Sequence, residues 1–426
     1  MRKKIVILGA GFGGIKAVFE LCKKLRRFGL SAQYEIILVD RNQYHTYTPT
    51  LYEIATTSKT TASQLNLKNI VTFPLKTVFK KIDAALIKGS VTNVDLIEGD
   101  IHLADGRKLK FDYLVLALGA ETNYFNIPGL KENSFTLKTF LDALKIREAI
   151  WNKVEEGAGK IKIAVGGAGA TGVELASEIK SWACEFEAER KCNVSVQIIE
   201  GMPTILPGLD VRVIKLVARR LRKIGVELLL NEFIQKVEPG RIFLKSGLIA
   251  ECDILIWTGG VKAVSLMGSL PLKKEQKGRV ITAGEMECLP QSEDLKLYGK
   301  IYALGDAICF YDPETGRPIP LLAEAAIQQA KIAAHNIFED IKLAEGFSKK
   351  ASHKKFVPGK YPYIIPVGGK YAVAKFGPLV IWGFPGWVLK GLVELYYLLF
   401  NVLPPFRAFK IWLKGLWIFM KNDRLG

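Results

Sequence analysis

The stretch Lys4-Ile5-Val6-Ile7-Leu8-Gly9-Ala10-Gly11-Phe12-Gly13-Gly14 decides how the first part of the chain folds. Four apolar residues, Ile5 to Leu8, indicate a strand buried inside a parallel sheet. A Gly-x-Gly-x-x-Gly turn follows at once, and the run from Ile15 to Arg27 predicts a helix. The N-terminus of such a helix offers N–H groups and a positive dipole end to an anion. This order of elements therefore predicts a site for the pyrophosphate of a dinucleotide.

Each glycine of the turn has a separate role in such a site. Gly9 permits the tight turn, Gly11 lets the backbone approach the phosphates, and Gly14 lets the helix pack closely on the strand. A second apolar strand, Glu35–Val39, ends in Asp40, whose carboxylate can accept a hydrogen bond from a ribose hydroxyl. The strand that ends in an acid favours a nucleotide site over the competing interpretation, a glycine-rich turn without a ligand.

The same order of elements returns in the middle of the chain. An apolar strand, Ile161–Val165, is followed by the glycine-rich segment 166–172 and by a predicted helix from Val173. The next strand, Val194–Ile199, ends in Glu200, as the earlier one ends in Asp40. The sequence thus predicts a second dinucleotide fold. Because the acid would repel a 2′-phosphate and accept a 2′-hydroxyl, this fold is expected to prefer NADH to NADPH.

The likeness between the two halves continues beyond the glycine turns. Residues 99–120 and 240–260 each combine a meander with a returning apolar strand that ends in a glycine turn. An internal duplication of this length indicates two equivalent α/β folds. Residues 59–110 as a whole are predicted to be short strands and turns, and residues 346–362, which are rich in Lys, Gly and Pro, a linker.

Composition limits the classes of protein that need to be considered. The chain has 426 residues, of which 49% are hydrophobic, and predicts two or three globular domains. No signal peptide precedes the first strand, so we expect the body of the protein to stay in the cytosol. None of the six cysteines forms a Cys-x-x-Cys pair, which argues against a redox dithiol and a zinc site. We expect reduced, partly buried thiols and no metal.

The basic charge is concentrated near the end of the chain. Residues 331–426 hold 15 Lys and Arg against 5 Asp and Glu, a net charge of +10 out of +18. The apolar stretch 379–403 contains Lys390 and Glu394, which disfavours a membrane-spanning helix. Residues 407–421 predict an amphipathic helix that lies in a membrane interface. The membrane residues are expected to be Arg407, Lys410, Trp412, Lys414, Trp417 and Lys421, with Phe409, Leu413, Leu416, Phe419 and Met420 on the apolar side. The alternative for this helix is a core or dimer-interface position, and the two can coexist.

Taken together, these motifs resemble a known family. The chain resembles the type II NADH dehydrogenases, which are non-proton-pumping NADH:quinone oxidoreductases of the two-dinucleotide-fold flavoprotein superfamily. Besides the first glycine turn, the resemblance rests on the segments 46–51, 166–174, 203–210, 257–261 and 305–306. It covers nearly the whole chain and includes the apolar C-terminal region.

The resemblance implies cofactors and residues for each fold. It implies non-covalent FAD in the first fold, with Asp306 at the ribityl chain, and NADH in the second. The FAD residues are Gly9, Gly11, Phe12, Gly13, Gly14, Asp40, Arg41, Pro49, Leu51, Ala117, Gly119, Gly305, Asp306 and Ala323. The NADH residues are Gly167, Gly169, Thr171, Gly172, Glu174, Glu200, Gly259 and Gly260.

Three further residues are implied for catalysis. Glu174 matches a family carboxylate near the nicotinamide and flavin rings; alternatively, it is an acid favoured by the helix dipole. Glu324 and Gln328 match the quinone-site pattern Ala-Gln-x-x-x-Gln, except that Glu324 replaces the first Gln. They are four residues apart and therefore share a helix face. An ionisable group beside a quinone could donate a proton or change the acceptor preference; alternatively, both are ordinary surface residues.

The expected function is electron transfer from NADH through FAD to a membrane quinone, on the cytoplasmic face of the cell membrane. The predicted domains are 1–125 and 266–345 for FAD, 126–265 for NADH, and 346–426 for membrane anchoring. A homodimer could form through the last of these. One alternative is a sulfide:quinone oxidoreductase, for which only Cys309 is suggestive. Another is a flavoprotein whose basic surface binds a nucleic acid or a protein, although charge mixed with Trp and Leu favours lipid.

Overall fold

A computed structural model describes residues 2–157, 159–190 and 193–422, without the side chains of 184–190 and 422. The described strands are β1 (Lys3–Leu8), β2 (Tyr34–Asp40), β3 (Tyr44–Thr46), β4 (Thr72–Pro74), β5 (Ala85–Lys88), β6 (Val91–Asp95), β7 (Asp100–Leu103), β8 (Lys108–Lys110), β9 (Tyr113–Leu116), β10 (Ala120–Thr122), β11 (Phe135–Thr136), β12 (Lys160–Gly166), β13 (Asn193–Glu200), β14 (Val226–Leu230), β15 (Ile234–Glu238), β16 (Arg241–Leu244), β17 (Ile249–Glu251), β18 (Ile254–Trp257), β19 (Val261–Ala263), β20 (Lys300–Ala303), β21 (Tyr363–Pro366), β22 (Ala372–Phe376) and β23 (Leu379–Gly383).

The described helices are α1 (Phe12–Arg27), α2 (Leu51–Ala55), α3 (Gln64–Val71), α4 (Leu75–Val78), α5 (Phe140–Glu155), α6 (Ala170–Arg190), α7 (Val211–Lys223), α8 (Ser265–Ser269), α9 (Ala323–Ala344), α10 (Phe384–Tyr397) and α11 (Pro405–Asn422). Short 3₁₀ turns cover Thr48–Thr50 and Gly305–Ala307, and a π-helical turn covers Leu398–Val402.

The chain divides into two units, each made of three segments. Unit 1 comprises residues 1–45, 74–121 and 261–361, and unit 2 comprises 46–73, 122–260 and 362–426. The predicted boundaries near 125 and 265 lie within a few residues of this division. Residues 46–73, which we predicted within the first FAD segment, belong to unit 2, as do most of the predicted anchoring residues.

Unit 1 is built on a parallel sheet with the strand order β20-β9-β1-β2-β5. Ile5 of β1 lies opposite Ile36 of β2 and Tyr113 of β9. The side chains of Ile5 to Leu8 are fully buried, which explains why β1 reads as an uninterrupted apolar run. Helix α1 follows β1 and packs against α9, while β6, β7 and β8 form a separate antiparallel sheet.

Unit 2 repeats this plan with the parallel strand order β11-β18-β12-β13-β14. Its meander, β15-β16-β17, is antiparallel, like that of unit 1. One apolar cluster extends from the predicted NADH fold into α2, α3 and the C-terminal elements, and includes Trp182, Ile365 and Phe419. The predicted α/β class with two Rossmann-like folds is therefore confirmed.

The duplication extends to single hydrogen bonds near the amino ends of central strands in the two sheets. In unit 1 the Lys4 N–H donates to Asp112 Oδ2, and in unit 2 the Lys162 N–H donates to Asp253 Oδ2, both over 2.7 Å. Each acid returns its own N–H to the same partner's carbonyl, over 2.9 and 2.8 Å. The two halves therefore fix the entry of their first and returning strands in the same way.

Three regions show structure that the sequence did not predict. Residues 59–110 contain the helices α3 and α4 as well as strands. The predicted linker is held against α9, because Asn336 bonds the backbone of Lys354 in both directions and Phe356 is buried. The apolar stretch from Leu379 begins as strand β23, which pairs with β22 before α10 starts. None of the described helices is long and apolar enough to span a bilayer.

Candidate nucleotide-binding and electron-transfer sites

The first glycine turn has the geometry that a pyrophosphate site requires. Gly9 has a φ of +107°, and a side chain there would collide with the carbonyl of Ala117. A side chain at Gly14 would collide with the Gly9 carbonyl, so this glycine lets α1 start close to β1. At Gly11, a Cβ would meet no described atom within 4 Å, which leaves the space before the helix open. A dinucleotide phosphate fits such a cradle.

Asp40 completes the first site at the end of β2. Its Oδ2 accepts the Ala10 N–H over 2.7 Å, and its Oδ1 accepts the Asn42 N–H over 2.6 Å. Burial raises the pKa of Asp40, although both backbone N–H groups act in the opposite direction. The carboxylate is therefore fixed beside the glycine turn, where a ribose hydroxyl can reach it. The next residue, Arg41, is exposed.

His45 supports the same turn, although it is not among the predicted site residues. Its Nδ1 lies 2.9 Å from the Ala10 carbonyl oxygen, and since a carbonyl only accepts, Nδ1 carries the hydrogen. The ring of Phe12 meets the imidazole edge-on, with 5.1 Å between centroids. Burial lowers the pKa of His45 to about 4. A polar residue in an aromatic loop gives no sequence signal of this contact.

The neutral His45 predicts a pH-dependent stability. The unfolded chain binds a proton at His45 below about pH 6.5, whereas the folded chain does so only near pH 4. Stability from this residue is thus complete above pH 6.5 and is lost as the pH falls towards 4, by up to about 3 kcal/mol. His45→Asn keeps an N–H donor but does not titrate. Denaturant unfolding between pH 4 and 7 should show a shallower pH dependence for this variant than for wild type.

The Gly305–Asp306 turn lies at the same carboxyl end of the unit 1 sheet as the first glycine turn, after the edge strand β20. The N–H of Gly305 donates to Gln329 Oε1 of α9 over 2.8 Å, and the N–H of Leu304 donates to the Leu116 carbonyl over 3.1 Å. The buried Gln329 was not predicted as a site residue. It ties the turn to the helix that begins at Ala323.

Unit 1 thus contains most of the residues predicted for FAD. These are Gly9, Gly11, Phe12, Gly13, Gly14, Asp40, Arg41, Ala117, Gly119, Gly305, Asp306 and Ala323. The other two, Pro49 and Leu51, belong to unit 2, in its 3₁₀ turn and at the start of α2.

The second glycine turn, in unit 2, reproduces the first. Gly167 has a φ of +99°, and a side chain there would collide with Gly259. Glu200 Oε2 accepts the Ala168 N–H over 2.7 Å, as Asp40 accepts that of Ala10. Its Oε1 accepts the Met202 N–H over 2.8 Å. The other predicted NADH residues lie in the same unit, namely Gly169, Thr171, Gly172, Glu174, Gly259 and Gly260.

Glu174 follows the second glycine turn on α6. Burial raises the pKa of Glu174 to about 8, although the positive charge of Lys390 lowers it. A carboxyl with such a pKa is protonated at neutral pH. Perturbed groups of this kind are common at functional sites.

A buried ionic cluster in unit 2 was missed as a site by the sequence analysis. Lys390 Nζ forms a short ion pair with Glu53 of α2 and lies 3.3 Å from Glu394 Oε1. Burial by itself lowers the pKa of Lys390, but the charges of Glu394 and Glu53 raise it well above its ordinary value. Lys390 also lies over the ring of Tyr52, 5.5 Å from its centroid. The sequence signal of this cluster was the pair of opposite charges at positions 390 and 394. We interpreted that pair only as an argument against a membrane-spanning helix.

The predicted acceptor residues lie together at the start of α9 in unit 1. The amide Nε2 of Gln328 donates to Glu324 Oε1 over 3.1 Å. The hydroxyl of Tyr361, which was not predicted, donates to Gln328 Oε1 over 3.3 Å. Glu324 is exposed, while the other two are half-buried.

Helix α11 covers the residues for which we predicted an amphipathic helix, but part of the apolar side that we assigned to the membrane packs inside unit 2. Phe419 is buried in the core of unit 2, and the indole N–H of Trp412 donates to the Gly391 carbonyl over 2.7 Å. The predicted basic residues Arg407, Lys410, Lys414 and Lys421 are all exposed, as is Trp417. Lys421 lies over the Trp417 ring, 3.8 Å from its centroid.

The C-terminal elements expose a series of large apolar side chains, which we call the apolar C-terminal surface. Its members recur every three or four residues along α10 and α11. They are Leu379, Trp382, Phe384, Val388, Leu392, Val393, Tyr396, Phe400, Phe406, Phe409, Leu413, Trp417 and Met420. Surfaces of this kind usually contact a membrane or another protein.

Two dinucleotide folds, each with a glycine turn and a strand-terminal acid, define a class of pyridine-nucleotide oxidoreductases. The family described as pyridine nucleotide-disulphide oxidoreductase matches residues 3–330. The chain belongs to this family, which confirms the predicted superfamily.

Comparisons with individual proteins agree with this assignment. A "Type II NADH:quinone oxidoreductase" of Staphylococcus aureus is 28% identical over 357 residues, which cover 79% of this chain and 82% of that protein. The structure of NDH2 from Plasmodium falciparum in complex with NADH has a TM-score of 0.82 at 18% identity, with 100% of both chains covered. The sulfide:quinone oxidoreductase of Aquifex aeolicus has a TM-score of 0.74 at 17% identity, covering 97% of this chain and 92% of that one.

Proposed function

We propose that the protein is a type II NADH:quinone oxidoreductase that works on the surface of a membrane with FAD as its resident cofactor. The observation that carries the proposal is the pair of equivalent nucleotide sites, one ending in Asp40 and the other in Glu200. The relative in Staphylococcus aureus bears the name of this activity. The apolar C-terminal surface supplies a face for the lipid in which a quinone dissolves.

The residues of unit 1 fit FAD by their geometry. Gly11 leaves room for the pyrophosphate, Asp40 is fixed for a ribose hydroxyl, and Asp306 follows the glycine at the end of β20. When bound, FAD would supply an acceptor for the hydride of NADH and a donor of two electrons to the quinone, which also takes up two protons. The protein orients the ligands: Gln329 holds the turn that carries Asp306, and His45 holds the turn that carries Gly11.

The residues of unit 2 fit NADH in the corresponding way. Gly169 leaves the space before α6 open, and the Glu200 carboxylate is fixed next to the turn by two backbone N–H groups. Glu174, near the start of the same helix, is protonated at neutral pH. It can therefore donate a hydrogen bond near the reacting rings without adding a negative charge there.

We expect Glu200→Gln to weaken the choice of NADH over NADPH. Glutamine keeps an oxygen for a backbone N–H but removes the charge that repels a 2′-phosphate. A charge-assisted hydrogen bond is worth about 1.5–3 kcal/mol, so the ratio of kcat/KM for NADH to that for NADPH should fall at least about tenfold.

Steady-state kinetics with both nucleotides measure this ratio. Glu251→Gln is a matched control, because Glu251 is an exposed acid of unit 2 that pairs with Lys162 over 2.5 Å. An unchanged ratio in Glu200→Gln would remove Glu200 from the nucleotide site.

The proposed activity has two half-reactions that can be observed separately. The purified protein should be yellow, and anaerobic NADH should bleach its flavin absorbance. A quinone added afterwards should restore it. Bleaching by sulfide instead of NADH would favour the sulfide:quinone alternative, and a flavin that NADH does not reduce would refute the proposal.

In the described part of the chain, two thiols argue against a sulfide:quinone oxidoreductase, and Cys309, on which that alternative rests, is buried. Cys22, Cys252, Cys288 and Cys309 are free thiols. Burial raises the pKa of Cys22 to about 12 and that of Cys252 to about 11, so neither is a ready nucleophile. The side chains of Cys184 and Cys192 lie outside the described residues.

A further inference from the structure

The amide of Gln328 is held from both sides by hydrogen bonds within unit 1. On one side its Nε2 donates to Glu324 Oε1 over 3.1 Å. On the other side its Oε1 accepts the hydroxyl of Tyr361 over 3.3 Å. Glu324 lies one helical turn earlier on α9, whereas Tyr361 comes from the chain that follows the segment bound along that helix. The three side chains form a chain of two hydrogen bonds.

The chemistry of the partners gives this chain one direction. A carboxylate can only accept a hydrogen bond, so Glu324 requires the nitrogen of the Gln328 amide to face it. A tyrosine hydroxyl can either donate or accept, so by itself it would tolerate both amide orientations. With the nitrogen turned towards Glu324, the amide oxygen faces Tyr361, and the hydroxyl must donate. A reversed amide would place its oxygen against a carboxylate and lose that hydrogen bond.

Tyr361 is suited to act as the donor. Burial raises the pKa of Tyr361 and the nearby charge of Glu324 raises it further, although a hydrogen bond with the Gly359 backbone acts in the opposite direction, so the hydroxyl keeps its hydrogen over the whole physiological range. The residue is half-buried, which limits competition by water for the same hydrogen bond. The ring of Tyr361 also lies close to Gly359, because a Cβ added at Gly359 would be 3.7 Å from Cε1 of that ring.

The fixed amide has one hydrogen that the chain does not use. An amide nitrogen carries two hydrogens, and Glu324 takes one of them. Among the described residues, no protein acceptor takes the second. That hydrogen matches a carbonyl oxygen, which is the group that a quinone presents.

We propose that Glu324 and Tyr361 are positioning residues, which together orient the Gln328 amide so that its second N–H faces a quinone carbonyl. This inference rests on the proposed function and deepens it. The proposal gives a role to the glutamate at position 324, where the quinone-site pattern Ala-Gln-x-x-x-Gln has a glutamine. A glutamine at that position can donate or accept, so it would tolerate either orientation of Gln328. The glutamate specifies one orientation and thereby favours an acceptor that presents oxygen lone pairs.

The test uses the full-length holoprotein with decylubiquinone as the acceptor. Tyr361→Phe removes one hydrogen bond from the amide and leaves the ring. The KM for decylubiquinone should rise roughly threefold to tenfold, as expected for the loss of one neutral hydrogen bond. The rate of flavin reduction by NADH, followed by stopped-flow absorbance, should stay as in wild type. Tyr298→Phe, which alters an exposed tyrosine elsewhere in unit 1, is the matched control and should leave both quantities unchanged.

A double-mutant cycle separates positioning from a general structural effect. Gln328→Ala should raise the KM for decylubiquinone, and adding Tyr361→Phe to it should then change KM less than twofold, because the side chain through which Tyr361 acts is gone. The inference is overturned if Tyr361→Phe matches wild type, if its effect is equally large in the Gln328→Ala background, or if it loses FAD or slows reduction by NADH. Failure of the wild-type flavin to be reoxidised by decylubiquinone would count against the proposed function instead.

Discussion

Replacing Lys390 by methionine is expected to lower the free energy of unfolding by about 3–5 kcal/mol, the cost of breaking a buried ion pair from one side. Lys390 has only 13% of its side chain exposed, and its partner Glu53 has 4%. Methionine fills a similar volume but leaves Glu53 and Glu394 without their shared cation. Since these residues come from α2 and α10, the change loosens the packing between two elements of unit 2.

The pH dependence of the destabilisation by Lys390→Met shows whether uncompensated negative charge causes it. Protonation of the carboxylates removes the uncompensated negative charge, so the deficit of Lys390→Met should be largest at alkaline pH and should shrink as the pH falls. A triple variant that adds Glu53→Gln and Glu394→Gln should recover much of the lost stability, because it contains no unpaired charge. Urea unfolding of the holoprotein, followed by circular dichroism at several pH values, measures both effects.

A surface pair supplies the control for this experiment. Lys262 lies 3.4 Å from Glu121, and the two side chains are 45% and 37% exposed. Lys262→Met should change stability by less than about 1 kcal/mol, as exposed pairs do. If Lys390→Met were no more destabilising than Lys262→Met at pH 8, the buried cluster would not hold unit 2 together.

Polar substitutions on the apolar C-terminal surface are expected to weaken vesicle binding about a hundredfold or more. Phe400, Phe406 and Trp417 are 65%, 84% and 54% exposed, so a triple change to serine should leave the core intact. Burial of one large apolar side chain contributes about 1.5–3 kcal/mol, and each factor of ten in binding corresponds to 1.4 kcal/mol. Co-sedimentation with vesicles that contain anionic lipid measures the loss. High salt should not abolish it, because apolar burial is not screened.

Two companion variants show where the binding energy lies. Changing Arg407, Lys410 and Lys414 to glutamine should weaken binding at low salt only, by about 1 kcal/mol for each residue. A triple serine variant of Leu141, Leu248 and Val357, which are exposed elsewhere, should bind as wild type does. Equal pelleting of the Phe400, Phe406 and Trp417 variant and wild type would show that this surface is not the anchor. Truncation is a poorer test, since α11 contributes Ile418 and Phe419 to the core.

The sequence predicted the nucleotide sites well because their determinants are local. A tight turn, an open helix N-terminus and a strand-terminal acid lie within about 35 residues of each other in each half. Their hydrogen bonds, such as Ala10 to Asp40 and Ala168 to Glu200, follow from the strand register that the apolar runs impose. Local patterns also predicted that Glu324 and Gln328 lie on one face of a helix, because helical spacing alone brings them together.

Contacts between distant segments could not be predicted in this way. Glu53 and Lys390 are 337 residues apart, so the ion pair between them depends on the fold and not on the local sequence. In α11, helical periodicity separated basic from apolar residues but did not say which apolar residues other helices cover. Phe419 was therefore placed on the lipid side, whereas it packs in the core. Tyr361 was missed because nothing local distinguishes it from other tyrosines near the predicted linker.

The repeated hydrogen bonds at Lys4–Asp112 and Lys162–Asp253 make each half of the molecule an internal reference for the other. A side chain added at Gly14 would meet the Gly9 carbonyl, and one added at Gly172 would meet the Gly167 carbonyl in the same way. The same substitution at both positions therefore meets the equivalent backbone carbonyl, and at Gly172 it also meets the Thr258 hydroxyl, 2.7 Å from the added Cβ. Apart from that additional contact, a difference between the two outcomes reports the nucleotide that each half binds. Because the chain contains two copies of one fold, the effect of a bound nucleotide can be compared with the effect of the fold itself within a single protein.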